Sequence, residues 1–148
     1  MSRFNTTDFT PTQFTSAVEK QNFAEKLASF VEQGFKQKQF SQKLYKSLSN
    51  SFQHIAHFNR GGFYATWFTT PGDRLRWVDH VLSARIYGDP TFTPCDVERA
   101  FQTWLEESLI RGRLVDQVNA ELESRERAEL KRLSAKYPLG NIIIQPLT

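Results

Sequence analysis

The sequence predicts an all-α fold, a single-domain bundle of five or six helices with a long C-terminal helix and a short extended tail. Two observations lead there. Apolar residues return at three- and four-residue spacing along most of the chain, and Gly, Pro, Ser or Thr stands where each stripe begins or ends. The 148 residues, 39% hydrophobic and 14% aromatic, make one ordinary domain whose core volume comes largely from Phe rings.

Residues 1–13 read as an irregular lead-in, because Phe4, Phe9 and Phe14 are spaced so that they share no face of a helix or strand. A first helix is expected from about Thr15 to Gln33 on the stripe Phe23, Leu27, Phe30 and Val31, with Gly34 as its left-handed C-terminal residue. A second is expected from about Ser41 to Asn59, with Leu44, Leu48, Phe52 and Ile55 as its stripe and Phe40 packing ahead of Ser41 as a hydrophobic staple. Arg60-Gly61-Gly62 is expected to end that helix, and residues 63–68 to form a short aromatic one.

Residues 69–73 carry helix-start chemistry for the stripe Leu75, Val78, Leu82 and Ile86, closed by Tyr87-Gly88-Asp89-Pro90. Thr93-Pro94-Cys95-Asp96 reads as a cap in which Thr93 accepts the Asp96 amide and Pro94 takes the first helical position. Val97, Phe101, Trp104, Leu105 and Leu109 follow, and the pattern continues through Leu114, Val118, Leu122, Leu130, Leu133 and Tyr137. An unbroken helix over 94–137 would measure ~66 Å, longer than a domain of this size is wide. Either Gly112 bends it or residues 113–137 project, and the charged run from Glu121 to Arg132 favours projection with a partner, a second copy included. Residues 138–148 form an extended tail in which Asn141-Ile142-Ile143-Ile144-Gln145 has strand character.

The net charge of +3 is unevenly spread. Residues 1–60 hold eight Lys/Arg against four Asp/Glu, residues 61–110 four against seven, and residues 111–148 seven against five. Between Gln33 and Gly72 there is no acid at all, while Lys36, Lys38, Lys43, Lys46 and Arg60 alternate with Gln and nine aromatic residues. Cations interleaved with rings can contact phosphates and stack bases, or meet an acidic protein surface, so these five residues are the candidate binding face. The competing reading is a solvated basic surface over a Phe-rich core.

Other chemistry has thinner support. His54 and His57 are spaced to share a helix face, and His80 or Asp79 could complete a metal site, but no HExxH pattern or cysteine pair accompanies them. Cys95 near a helix N-terminus could be a nucleophile, yet no motif places a base beside it, and a structural thiol is the favoured role. No GxxxxGK[ST], GxGxxG or GxSxG motif occurs, so no cofactor is expected. The single cysteine, the lack of an apolar run of ~18 residues and the polar start of the chain are those of a cytoplasmic protein without a membrane partner.

Two resemblances add to this. Arg74 and His80, separated by five residues on a predicted helix, resemble the Arg…His signature of HEPN-type ribonucleases. That resemblance implies acid/base cleavage of RNA by His80, with Arg74 stabilising phosphate charge. The segment IAHFNRGGFY, residues 55–64, is similar to stretches in small accessory proteins of phage and plasmids. It implies a role among inhibitors of host defence, such as anti-CRISPR proteins, which occupy a partner's surface. The function expected first is therefore that of a non-enzymatic protein binding a protein or protein–nucleic-acid complex as an inhibitor or regulator. The alternatives are the HEPN-like ribonuclease, a direct nucleic-acid binder, and a homodimeric module built on residues 113–137.

Overall fold

Ser16 opens the first helix, α1 (Ala17–Glu32). In the computed structural model, which describes residues 2–53 and 59–137, the Ser16 hydroxyl accepts the Glu19 amide at 3.1 Å while the Glu19 carboxylate accepts the Ser16 amide at 3.4 Å. This capping box satisfies two of the helix's orphan donors. At the other end Gly34 takes the left-handed conformation expected of it, at φ +95°. The Gly34 amide donates to the Val31 carbonyl at 3.2 Å and the Phe35 amide to Phe30 at 2.9 Å. Phe35 then lies edge-on to Phe30 at 5.5 Å, which completes a Schellman closure with its hydrophobic contact.

Helix α2 (Gln42–Ser49) is capped by Ser41, and Phe40 packs on Tyr45 at 6.3 Å as the predicted staple. It stops well short of Asn59. The Asn50 side-chain amide and the Ser51 hydroxyl donate to the carbonyls of Lys46 and Ser47, and such local bonds offer the backbone an alternative to helix. Phe52 and Gln53 then adopt φ of 54° and 64°. Phe52 is buried against Phe101, and its amide donates to Glu98 Oε2 at 3.1 Å.

Helix α3 (Arg60–Trp67) corrects a second expectation, because Arg60-Gly61-Gly62 opens a helix instead of closing one. Asn59 Oδ1 accepts the Gly62 amide at 2.7 Å, and a Cβ on Gly62 would lie 3.2 Å from that oxygen. Helix α4 (Pro71–Ser83) starts as expected, with Thr70 capping the Asp73 amide and Pro71 in the first turn. It ends before Ile86, where Gln102 Nε2 donates to the terminal carbonyls of Val81 and Ala84, both at 2.9 Å.

Helix α5 (Cys95–Glu107) differs from the predicted cap. Pro94 is the N-cap residue, and Thr93 Oγ1 accepts the Cys95 amide at a long 3.4 Å, not that of Asp96. Helix α6 (Ile110–Lys136) is separate, and the break falls at Ser108-Leu109 rather than at Gly112. Ser108 is extended at φ −82° and ψ 166°, and its hydroxyl donates to the Leu105 carbonyl at 2.6 Å. Gly112 sits in the first turn of α6, where an added Cβ would meet nothing within 4 Å.

Helix α1 packs on α2 and α5, while α4 packs on α3, α5 and α6. The centre is aromatic: contacting rings of Phe30, Phe35, Phe40, Phe63, Phe68 and Trp77 lie 5.0–5.9 Å apart, in mostly tilted or edge-on pairs. Phe4 and Phe9 of the lead-in are buried as well, whereas Phe14 stays 86% exposed. Among the described residues no helix is long and apolar enough to cross a membrane.

One charge is buried at the seam of α1 and α5. Lys20, 2% exposed, donates from Nζ to Asp96 Oδ1 at 2.9 Å, to the Pro90 carbonyl at 2.8 Å and to the Thr93 carbonyl at 3.2 Å. Asp96 also accepts the Thr10 amide at 2.8 Å and the Val97 amide at 3.0 Å. Removing one partner from a buried pair costs ~3–5 kcal/mol, and the two amides left on Asp96 place Lys20→Met near ~3 kcal/mol by urea denaturation. Adding Asp96→Asn should recover part of that loss, and simply additive losses would show that the pair is uncoupled. Gly112→Ala, at an open helical position, should stabilise by about 0.5–1 kcal/mol; a lower denaturation midpoint would contradict the open site.

Candidate functional site

The acid-free stretch folds into the end of α1, the loop to α2, α2 itself and the start of α3. Lys36 and Lys38 lie in and beside the 3₁₀ turn Gln37–Gln39, Lys43 and Lys46 on the outer face of α2, and Arg60 at the first position of α3. All five are exposed. Among the described residues none of them has a carboxylate within ion-pair distance. Arg3, Arg76, Arg111, Arg125, Arg127 and Arg132 each hold one. The cause lies in the sequence: forty consecutive residues without an acid supply no local partner.

The surface there is concave in two places. A groove of about 380 Å³ runs between α1, α2 and the loop before α5, with Lys26 and Lys43 on its walls and Phe23 and Leu44 deeper in. Phe14 and Phe92, 86% and 80% exposed, line the same groove, as does Glu19 of the capping box. Lys20 contributes its aliphatic stem, since its ammonium is spent on Asp96 and two carbonyls. A second hollow of about 410 Å³ is lined by Lys38, Arg60, Gln37, Phe40 and Tyr64. Ser41, the cap of α2, lines this hollow, and Lys43, two residues on, lines the groove.

The five predicted cations are therefore divided. Lys43 belongs to the groove and Lys38 and Arg60 to the hollow, while Lys36 and Lys46 line neither. The aromatic expectation needs correction. Of the acid-free stretch's rings, Phe35, Phe40, Tyr45, Phe52, Phe63 and Phe68 are buried and Tyr64 and Trp67 half-buried, so the stretch offers no exposed ring among its described residues. The core claims them because they fall on the inner faces of α2 and α3 and in the tight turns beside them. The exposed rings that line the groove, Phe14 and Phe92, come from loops outside the stretch. Sequence reasoning also missed Lys26, whose only signal was its place on the polar face of α1.

The remaining candidates occupy well-defined surroundings. Arg74 Nε donates to the Phe68 carbonyl at 2.8 Å, with its guanidinium 5.8 Å from the Phe35 ring. His80 Nε2 is 2.9 Å from the Phe52 carbonyl, and its imidazole lies 6.0 Å from Trp67. Each of the two is thus tied to a different part of the body. Asp79 is paired with Arg111 at 2.7 Å. His54 and His57 lie outside the described residues. The Cys95 thiol is buried, 3.9 Å from the Arg99 guanidinium.

In comparison with known proteins, the chain matches no protein-family profile, no curated protein and no solved structure.

Phe14 and Phe92 are exposed enough to be removed without touching the core. The double change Phe14→Ser/Phe92→Ser should leave stability within about 0.5 kcal/mol by thermal circular dichroism, and a larger loss would make them packing residues instead of groove walls.

Proposed function

We propose that this protein is a non-enzymatic, cytoplasmic binding module that acts by macromolecular contact, as an inhibitor or regulator of a complex that handles nucleic acid. The observation that supports this reading is a set of exposed cations that form no ion pair among the described residues and lie at or beside two concavities, one of them flanked by exposed phenylalanines. Cations that form no ion pair among the described residues keep their capacity to attract phosphate or carboxylate. Exposed rings next to them supply the desolvated anchors that carry most of an interface's affinity. The narrower form of this proposal, an inhibitor of host defence of the anti-CRISPR kind, is what the resemblance noted for residues 55–64 would imply.

The test uses Lys43→Glu/Lys46→Glu, which reverses charge on the outer face of α2 and leaves the core alone. Tagged wild-type protein should recover a protein partner from host lysate that survives nuclease treatment, and the variant should lose it with its melting curve unchanged. Equal recovery by the variant would remove the basic face from the account. Cleavage of added RNA that disappears in both Arg74→Ala and His80→Ala would replace this function with that of an HEPN-like ribonuclease.

A further inference from the structure

Helix α6 buries Ile110 and Leu114 against the body, and Val115 and Val118 are half-buried. From Asn119 to Tyr137 every residue is exposed, including Leu122 at 51%, Leu130 at 65%, Leu133 at 38% and Tyr137 at 49%. At helical spacing the line Leu114, Val118, Leu122 runs on into Leu130, Leu133 and Tyr137, so the face that α6 buries at its start continues into solvent uncovered. In proteins most helical stability comes from packing of an apolar face and not from propensity. The internal ion pairs of α6, Glu121–Arg125, Glu123–Arg127 and Glu129–Arg132, are all solvent-exposed and hold it only weakly.

We propose that residues 115–137 of α6 pair antiparallel with the same residues of a second copy of this chain. The stripe is close to symmetrical about Glu126: Leu122 and Leu130 stand four residues to either side, Val115 and Tyr137 eleven, and Val118 and Leu133 eight and seven. A two-fold axis at Glu126 therefore sets Leu122 on the partner's Leu130 and Val118 on the partner's Leu133. Charge selects the same orientation. Residues 116–126 hold four acids against one base, and residues 127–136 four bases against one acid. Antiparallel pairing lays each acidic half along a basic half. In this register Asp116 stands opposite the partner's Lys136 and Glu121 opposite the partner's Lys131, while Glu123 and Arg125 find the partner's Arg127 and the partner's Glu129 only diagonally, across like-charged neighbours. A parallel pair would set acid beside acid and base beside base. The two copies of Glu126 face each other near the axis, which leaves the dimer short of its greatest strength. This pairing is independent of the basic groove.

Light scattering of the full chain over a range of concentrations tests it. The expected result is a dimer of twice 17.2 kDa at high concentration, monomeric in Leu122→Glu/Leu130→Glu. Glu126→Leu removes the facing charges and fills the gap in the stripe, and should tighten association roughly tenfold or more. In a Cys95→Ser background, Leu122→Cys mixed with Leu130→Cys should give a disulfide between the two, and neither variant should crosslink to itself. A chain that stays monomeric throughout overturns the proposal, whether its own tail over 138–148 or a different protein then covers the stripe. Self-crosslinking of Leu122→Cys overturns the antiparallel orientation.

Discussion

The structure hangs on the Lys20–Asp96 pair. It ties the lead-in at Thr10 and α1 at Lys20 to a region some seventy residues or more further on, the loop carbonyls of Pro90 and Thr93 and the first turn of α5. A buried ammonium is tolerated only when its protons are matched, and here two carbonyls and a carboxylate surround it. The same bonds hold the loop that carries Phe92 and the start of the segment that leads to Phe14. The groove therefore rests on a fixed base, and its walls are positioned by the most demanding electrostatic interaction in the fold.

Around that base, acids and bases are sorted. Cations near acidic stretches are neutralised within the chain, as Arg3 is by Glu25 and Glu32 and Arg111 by Asp79. The cations of the acid-free stretch have no such neighbour among the described residues, so their charge is not neutralised there, in a protein whose net charge is only +3. The aromatic rings of that stretch close the core beneath it. Local sequence thus builds both the hydrophobic floor and the charged rim, while the exposed rings are contributed by loops fixed through Lys20 and Asp96.

Helix α6 obeys a different constraint. Its first turns are docked on α4, and its last half has no body to lean on. The apolar side chains there are too regularly placed for an ordinary solvated helix, and too widely gapped at Arg125 and Glu126 for a strong coiled coil. Such a helix suits association that depends on concentration, at the opposite end of α6 from the one held by the bundle.

The all-α class, the Thr70 start, the Gly34 stop, the Phe40 staple and the exposed end of the last helix were legible in the sequence, because each depends on residues within one or two turns of one another. Tertiary structure decided the rest. The early end of α2 combines the local bonds of Asn50 and Ser51 with the burial of Phe52 against Phe101, and the reversed role of Arg60-Gly61-Gly62 rests on Asn59 turning to cap a helix. Asp96 is drawn to Lys20, seventy-six residues away, so the α5 cap lacks the geometry its local sequence suggests. The five cations were visible by composition, but their division between a groove and a hollow was not. Nor was the exposure of Phe14 and Phe92, because whether a ring is buried depends on which distant surface reaches it.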